Sequence, residues 1–362
     1  MFFLDGSVLE GGGQILRNGL SLAALLRKPI TINKIRNGRT LPGLKNQHRT
    51  GIELAAKISN ATITGVSNGS QTVQFTPSTI TAGDYTADPE TAGASSLLLQ
   101  IGLPLLLFAP STSTLNLKGG TNAISAPQID YIQHVFLPFA TRHFGLNVEV
   151  ELKRRGYFPK GGGNFHVTVH PTGMLRNASV LERGSVAAIR GIAHIAGLPA
   201  HLGQTMRTAA IARLAAQGFT TDTVPVIDIK SRRENNNNTV GAGSGIVLWA
   251  ELTGGGIIGG SAVGEKKKDP VAVGEEAANE LIKGLEDGGV VDEYLQDQCI
   301  ILMALADGER ESEINCGKSG LSLHTQTAIW VAEQLTDAKF DVKVEESGHT
   351  VIRCKGIGYE NK

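Results

Sequence analysis

Cysteine is scarce in this chain: Cys299, Cys316 and Cys354 are the only three, an odd number at wide spacings. That excludes a disulfide framework and a cysteine-built zinc site, and it makes a reducing compartment the expected one. Net charge is absent as well. Lys plus Arg and Asp plus Glu each total 34, which excludes a histone-like polycation and an acidic disordered tail while allowing local patches. Long apolar runs are missing too. The most apolar stretch, 97–110, contains Pro104 and is too short to span a bilayer. Residues 1–6 have no basic region leading into an apolar stretch, so neither a signal peptide nor a transmembrane segment is expected. The expected setting is intracellular, in the nucleus (nucleoplasm) or the cytoplasm.

Glycine is what the chain has in excess, 45 of 362 residues, clustered without a triplet period and so suited to tight turns and close backbone approaches. With 41% hydrophobic and 19% charged residues the composition is globular, not disordered. The length exceeds one ordinary core, so two domains or an internal repeat are expected. A polar turn, a helix period and a period-2 stretch recur in that order. Pro42-Gly-Leu-Lys-Asn-Gln-His-Arg-Thr leads into Ile52, Leu54, Ala55 and Ile58. Pro127-Gln-Ile-Asp-Tyr leads into Ile132, Val135, Phe136 and Phe139, and Leu323-His-Thr-Gln-Thr into Ile329, Val331, Ala332 and Leu335. Alternating segments follow at 62–66, 147–151 and 341–345.

The middle of the chain differs in texture. Strand-like 183–195 and 224–229 flank a helix over about 200–217, and 244–252 with 256–263 read as a hairpin. Helices return at about 270–285 and 292–305. The expected organisation is a small inserted α/β domain over 182–274, with 1–181 and 275–362 forming one larger domain.

Two nucleotide fingerprints nearly form and are excluded. Gly317-Lys318-Ser319 has the tail of a P-loop, but Ser312 occupies the place of its first glycine. Gly254-Gly-Gly-Ile-Ile-Gly259 fits a dinucleotide pattern on paper, yet Gly260-Ser-Ala-Val-Gly-Glu-Lys-Lys-Lys follows it instead of a helix. Both read as turns.

Three other features carry chemistry. Glu10-Gly-Gly-Gly-Gln14 runs into an apolar-periodic helix, so uncovered N–H groups at a positive helix end would cradle an anion. Glu10 could hold a divalent cation there, and Arg17 lies about one turn in. A flexible turn with a capping acid explains this piece equally well on its own. The second feature is a window without acids. No Asp or Glu occurs in 11–52, against eight bases: Arg17, Arg27, Lys28, Lys34, Arg36, Arg39, Lys45 and Arg49. Arg36-Asn-Gly-Arg39 would bring two guanidiniums together, with Gln47 and His48 following, which suits a phosphorylated or nucleic-acid partner over a merely solvated face. Aromatics are sparse in this window, so no base-stacking platform is expected in it. Third, His324 precedes a helix, where the dipole disfavours imidazolium and keeps a neutral nitrogen for use as base, ligand or nucleophile. A lone histidine is more often structural, and the same weighing applies to His48 and His201 in similar positions; the other histidines receive no role.

Together the ordered motifs Asp5-Gly6, Glu10-Gly-Gly-Gly-Gln-Ile-Leu-Arg17, Ile35-Arg-Asn-Gly-Arg39 and Pro42-Gly-Leu-Lys-Asn-Gln-His48 begin a pattern. Lys118-Gly-Gly-Thr-Asn-Ala, Ala126-Pro-Gln-Ile-Asp-Tyr131 and Arg155-Gly-Tyr-Phe-Pro-Lys-Gly-Gly-Gly163 continue it. Asp292-Glu-Tyr-Leu-Gln-Asp-Gln298 and Leu323-His-Thr-Gln-Thr327 complete it. Nearly end to end, the sequence resembles the RNA 3′-terminal phosphate cyclase family, in wording nearest the catalytic eukaryotic type. The resemblance implies an α/β (α+β) fold: a large domain of three βαβαββ-type repeats, similar to a translation initiation factor C-terminal domain, with a smaller inserted α/β domain.

It also implies ATP-dependent conversion of an RNA 3′-phosphate to a 2′,3′-cyclic phosphodiester, through a covalent His-AMP and an RNA-adenylate, with release of pyrophosphate and AMP. The roles it implies are His324 as nucleophile and Mg²⁺ or Mn²⁺ at Glu10. Gln100, Pro127, Tyr294, Asp297 and Gln298 would form the ATP pocket, with Arg17 on the ATP phosphates and Arg36, Arg39 and Gln47 nearer the RNA phosphates. A related branch of the fold acts in ribosome assembly without the histidine, and His324, with Glu10, Arg36 and Arg39, disfavours that reading. A plain phosphate-binding scaffold would leave Tyr294-Leu-Gln-Asp-Gln298 without purpose.

Overall fold

A computed structural model describes residues 1–360. The chain starts with strand β1 (Phe2–Asp5), helix α1 (Gly13–Leu25), strand β2 (Ile30–Asn33) and helix α2 (Asn46–Ser59), followed by β3 (Thr62–Thr64) and β4 (Val73–Thr76). β1 and β2 are parallel, because α1 carries the chain back between them; β4 is antiparallel to both β2 and β3. The order is β1-β2-β4-β3.

The same arrangement occurs again from residue 84 onward. Strand β5 (Asp84–Ala87), helix α3 (Ser95–Leu106) and strand β6 (Ser113–Gly119) form a parallel crossover. A continuous helical run follows: α4 (Ile129–Tyr131), a π turn (Ile132–Phe136) and α5 (Leu137–Phe144). Strands β7 (Asn147–Gly156) and β8 (Gly163–His170) close the sheet, with β8 antiparallel to both β6 and β7. Strand β9 (Ser179–Val180) then opens a third sheet.

Before that sheet continues, the chain builds a separate one. Strand β10 (Val186–Ala196), helix α6 (His201–Ala215) and strand β11 (Val226–Arg233) make a parallel crossover. The two-residue β12 (Thr239–Val240) leaves this sheet and pairs with β7 at Arg155 and Gly156. The expected hairpin forms as β13 (Gly243–Leu252) and β14 (Ile257–Val263). Helix α7 (Pro270–Asp287) covers the small sheet, whose order is β11-β10-β13-β14. Its start is fixed by Asp269, whose carboxylate accepts from the Val271 N–H (2.9 Å).

The third sheet is completed by α8 (Glu293–Leu305), β15 (Ser312–Asn315), α9 (Leu323–Leu335), β16 (Lys339–Val344) and β17 (Thr350–Lys355). Its order, β16-β17-β15-β9, is again first–second–fourth–third when read from β9. One apolar cluster runs through all three sheets and their helices, and a second lies between the small sheet, α6 and α7. Val273, Ala277, Leu281 and Leu285 belong to the second cluster. The boundary expected at 274 therefore falls inside a single helix, and the packing unit of the insert extends to Asp287. Among the described residues no helix is long and apolar enough to cross a membrane.

A buried polar network joins the insert to the large domain. Arg155 on β7 grips Asp130 with both ends of its fork (2.6 and 2.7 Å), and its Nε donates to Glu234 (2.9 Å). Burial alone would raise the Asp130 carboxyl, but the guanidinium holds it well below the usual range. His194 of β10 is pushed down to about 3 by burial and by Arg155. The neutral ring donates from Nε2 to Gln128 Oε1 (2.9 Å) and accepts at Nδ1 from the Tyr157 hydroxyl (2.8 Å).

Candidate active site

The first glycines fold directly against charged side chains. A Cβ on Gly12 would lie 2.0 Å from Glu10 Oε1, and one on Gly13 would lie 2.7 Å from Arg17 Nη1. Only a bare backbone lets the carboxylate and the guanidinium approach so closely. α1 begins at Gly13 with Gly12 as its N-cap, so no side chain covers its leading N–H groups, and its first turn holds no acid.

The Glu10 main-chain N–H donates to Thr327 Oγ1 (3.1 Å), tying this loop to α9. Arg39 donates to Glu10 Oε1 and to the Glu10 carbonyl (3.3 Å). The other carboxylate oxygen, Oε2, is buried without a hydrogen-bond partner. Arg17 is buried too; it donates to Gln14 Oε1, while its Nε has no partner. An anionic acceptor and a cationic donor are thus both unmatched in one small volume.

His324 is the second residue of α9, whose start is fixed by Ser322 Oγ accepting from the Thr325 N–H (3.1 Å). Thr327 is three residues further along, so the ring stands one turn from the stitch to Glu10. Its pKa lies below the ordinary histidine value. Desolvation by the surrounding protein lowers it most; Glu10 opposes, while Arg17 and Arg39 push further down. The ring is therefore neutral at pH 7, with a free nitrogen lone pair beside the anion cradle.

His48, not among the expected site residues, belongs to this cluster. Its Nδ1 accepts from the Lys45 N–H (3.1 Å), and a Cβ on Gly13 would come within 3.1 Å of its Nε2. Burial and the cations Arg36, Arg17 and Lys45 push it down to about 3. The available signal was its position inside the window without acids.

The residues expected on RNA phosphates behave differently from one another. Arg39 is a half-exposed guanidinium beside Glu10. Arg36 has φ +54 and donates from Nη1 to the carbonyls of Leu41 (2.7 Å) and Gly43 (2.9 Å), bracing the loop that carries Arg39. Gln47 accepts the Ala94 N–H at 3.2 Å.

The five residues expected around ATP divide between two places. Tyr294, at the start of α8, shares a pocket of about 230 Å³ with Pro127. Its other side borders a cavity of about 240 Å³ that reaches Ser319–Ser322, just upstream of His324. Burial, then Glu280 through charge and a hydrogen bond, drive the Tyr294 hydroxyl far above its ordinary pKa. Gln100, Asp297 and Gln298 instead line a crevice of about 30 Å³ against α1, with Gln14 and Asn18. Asp297 is pushed up to about 7 by burial, which Arg17 opposes and Asp292 reinforces. Gln298 donates to the Tyr294 carbonyl (2.7 Å), and its Oε1 is buried without a partner. Among the described residues no three His, Cys, Asp or Glu side chains converge as a metal cluster.

The family model for RNA 3′-terminal phosphate cyclase matches residues 8–342. An RNA 3′-terminal phosphate cyclase of Pyrobaculum neutrophilum is 39% identical over 357 residues, covering 98% of this chain and 99% of that protein. One of Drosophila melanogaster is 39% identical over 363 residues, covering 100% and 98%. A probable RNA 3′-terminal phosphate cyclase of Dictyostelium discoideum is 40% identical over 371 residues, covering 99% of this chain and 83% of its own length. With a family match that takes in Glu10, Arg17, Arg39 and His324 alike, the chain belongs to the RNA 3′-terminal phosphate cyclase family.

Proposed function

We propose that the chain uses ATP to convert an RNA 3′-terminal phosphate into a 2′,3′-cyclic phosphodiester, with His324 as the covalent nucleophile. The observation that carries this reading is the stitch from Glu10 to Thr327, which sets a neutral imidazole against the Arg17 and Arg39 guanidiniums and an uncapped helix end. In the first step an imidazole nitrogen attacks the α-phosphorus of ATP; the bond to the bridging oxygen breaks, and pyrophosphate leaves. The ring's other N–H proton is then lost to solvent, leaving AMP on the histidine. An oxygen of the RNA 3′-phosphate next attacks that phosphorus; the ring takes a proton back from solvent, the P–N bond breaks, and neutral imidazole leaves as the RNA-adenylate forms. Finally the ribose 2′-hydroxyl attacks the terminal RNA phosphorus, its proton passes to solvent, and AMP departs as the ring closes.

Arg17 and the α1 N–H groups hold ATP phosphates in this reading, and Arg39 holds the RNA phosphate. Arg36 and Gln47 act by fixing the loops around Arg39. Tyr294 and Pro127 offer surfaces to adenine, and Gln100, Asp297 and Gln298 offer polar contacts beside α1. The partnerless Glu10 Oε2 fits one oxygen ligand of Mg²⁺ or Mn²⁺, since such ions take one or two carboxylates and complete their shell with phosphates and water. When bound, that ion supplies charge neutralisation at the phosphates. All of these groups lie in 1–181 and 288–362, outside the packing unit of the insert, so the large domain is the catalytic one.

The test is incubation with α-labelled ATP and Mg²⁺ or Mn²⁺. The expected result is protein labelled through a bond that is acid-labile and base-stable, and a His324→Ala variant that takes up no label. Undiminished labelling of that variant would sink the nucleophile assignment. No labelling of the wild-type chain would favour a non-catalytic, ribosome-assembly type of role.

A further inference from the structure

We propose that Phe158 is a stacking platform for a base of the RNA strand upstream of its 3′ end, with Lys160 and Arg154 as phosphate partners. This rests on the RNA reading above and extends it to a surface outside the Glu10–His324 site.

Phe158 is 77% exposed, more than any other large apolar side chain among the described residues. It sits in the turn Gly156–Gly163 between β7 and β8, and that turn is held at both flanks. Tyr157 next to it is buried, with its hydroxyl on His194 Nδ1 (2.8 Å). The Gly161 N–H donates to the Tyr157 carbonyl (2.8 Å), and Arg154 Nε donates to the Gly162 carbonyl (3.1 Å). Gly161 has φ +62, and a Cβ there would lie 2.5 Å from the Thr91 carbonyl oxygen. The ring is therefore presented to solvent by a turn that has little freedom left to lose on binding, which favours stacking.

The position and the charge both favour RNA. The backbone beneath the turn, Thr91 and Ala92, continues to Ala94, whose N–H is bonded to Gln47 at the edge of the site. A strand whose terminal phosphate is held near Arg39 would reach Phe158 by crossing that loop. Lys160 and Arg154 are exposed and form no ion pair with an acid among the described residues, whereas nearby Lys118 is matched with Asp88 and Lys153 with Glu151. Unmatched cations beside an exposed aromatic ring are the combination that single-stranded RNA requires.

The experiment compares cyclisation of a 3′-phosphorylated oligoribonucleotide with that of the shortest 3′-phosphorylated substrate the protein accepts. Phe158→Ala should raise KM for the oligonucleotide about tenfold, the size expected for losing one stacked base. It should leave the short substrate and RNA-free self-adenylylation unchanged. Phe158→Trp should restore the oligonucleotide KM, and its fluorescence should be quenched by RNA. In the wild type, one upstream abasic nucleotide should cost as much as Phe158→Ala, and the two losses should not add. Equal losses on long and short substrates, an unchanged oligonucleotide KM, or additive losses would each overturn the platform while self-adenylylation and cyclisation stand. A wild-type protein that neither labels nor cyclises removes the RNA reading, and the platform with it. A role in docking another protein would appear as cyclisation indifferent to Phe158, and so also counts against the proposal.

Discussion

The molecule contains two buried charge clusters, and they are built on opposite terms. Around Arg155 every strong group has a partner: the fork is matched to Asp130, Nε to Glu234, and His194 to one donor and one acceptor. Around Arg17 the matching is incomplete, with Glu10 Oε2, Arg17 Nε and Gln298 Oε1 all buried and unpaired. A buried polar atom without a partner carries a penalty of about 1–3 kcal/mol, so a protein keeps three of them together only where something else completes the set. The closed cluster fastens the insert to the rest of the chain; the open one keeps a carboxylate oxygen and a guanidinium nitrogen unmatched, as the proposed phosphate and cation ligands require.

Substitutions can break this contrast in order of size. His324→Ala should cut self-adenylylation by at least about a thousandfold, while shifting unfolding by no more than about 0.5 kcal/mol, because the side chain is exposed. Arg155→Ala should do the reverse. Leaving Asp130 buried with only the Asn122 amide (3.2 Å) and Glu234 with only Arg232 (3.4 Å) should lower stability in urea titrations by about 3 kcal/mol, with labelling lost only in proportion to unfolding. A stable Arg155→Ala protein without labelling would erase the distinction between the clusters.

Asp297 gives a smaller, pH-dependent effect. Its folded pKa of about 7 lies well above the ordinary carboxylate value, so the folded state holds this proton to higher pH than the unfolded chain does. Its contribution is fully favourable below about pH 4 and is lost as pH rises to about 7. Asp297→Asn should therefore gain about 1–2 kcal/mol over wild type at pH 8 without ligand, and little at pH 4, by urea unfolding. Equal differences at both pH values would contradict the open-cluster description. Smallest of all, Thr327→Val removes the acceptor for the Glu10 N–H and should cost about 1 kcal/mol in stability, with a several-fold drop in the labelling rate. No change in rate would mean that the stitch does not align His324.

Much of the open site could be read along the chain because its parts are local. Glu10, the three glycines and Arg17 lie within one turn and one helix start, and His324 sits at a recognisable helix entry. The hairpin at 244–263 followed from two strand-like stretches on either side of a glycine-rich turn. What escaped the sequence was long-range. Arg155 and Glu234 are 79 residues apart, and nothing local marks them as partners. The end of the insert escaped for a related reason: the apolar face of α7 has the same period whichever sheet it covers. The division of the expected ATP residues also depends on packing, since α8 points Tyr294 to one side and Asp297 with Gln298 towards α1. That Arg36 uses Nη1 on the Leu41 and Gly43 carbonyls was not legible either, because it depends on a left-handed backbone that composition does not reveal.

The two-residue strand β12 changes what kind of object the insert is. A domain that leaves its host once and returns once hangs from two hinges, and cutting both would release it. Here the chain goes back midway to lay Thr239 and Val240 along Arg155 and Gly156, then departs again. Nicks near residues 182 and 288 would leave two pieces still laced together by a shared ladder and by the Arg155–Glu234 bond. Excision in the course of evolution faces the same obstacle, because a deletion that spared the helices of the large domain would still bare the outer edge of one of its sheets.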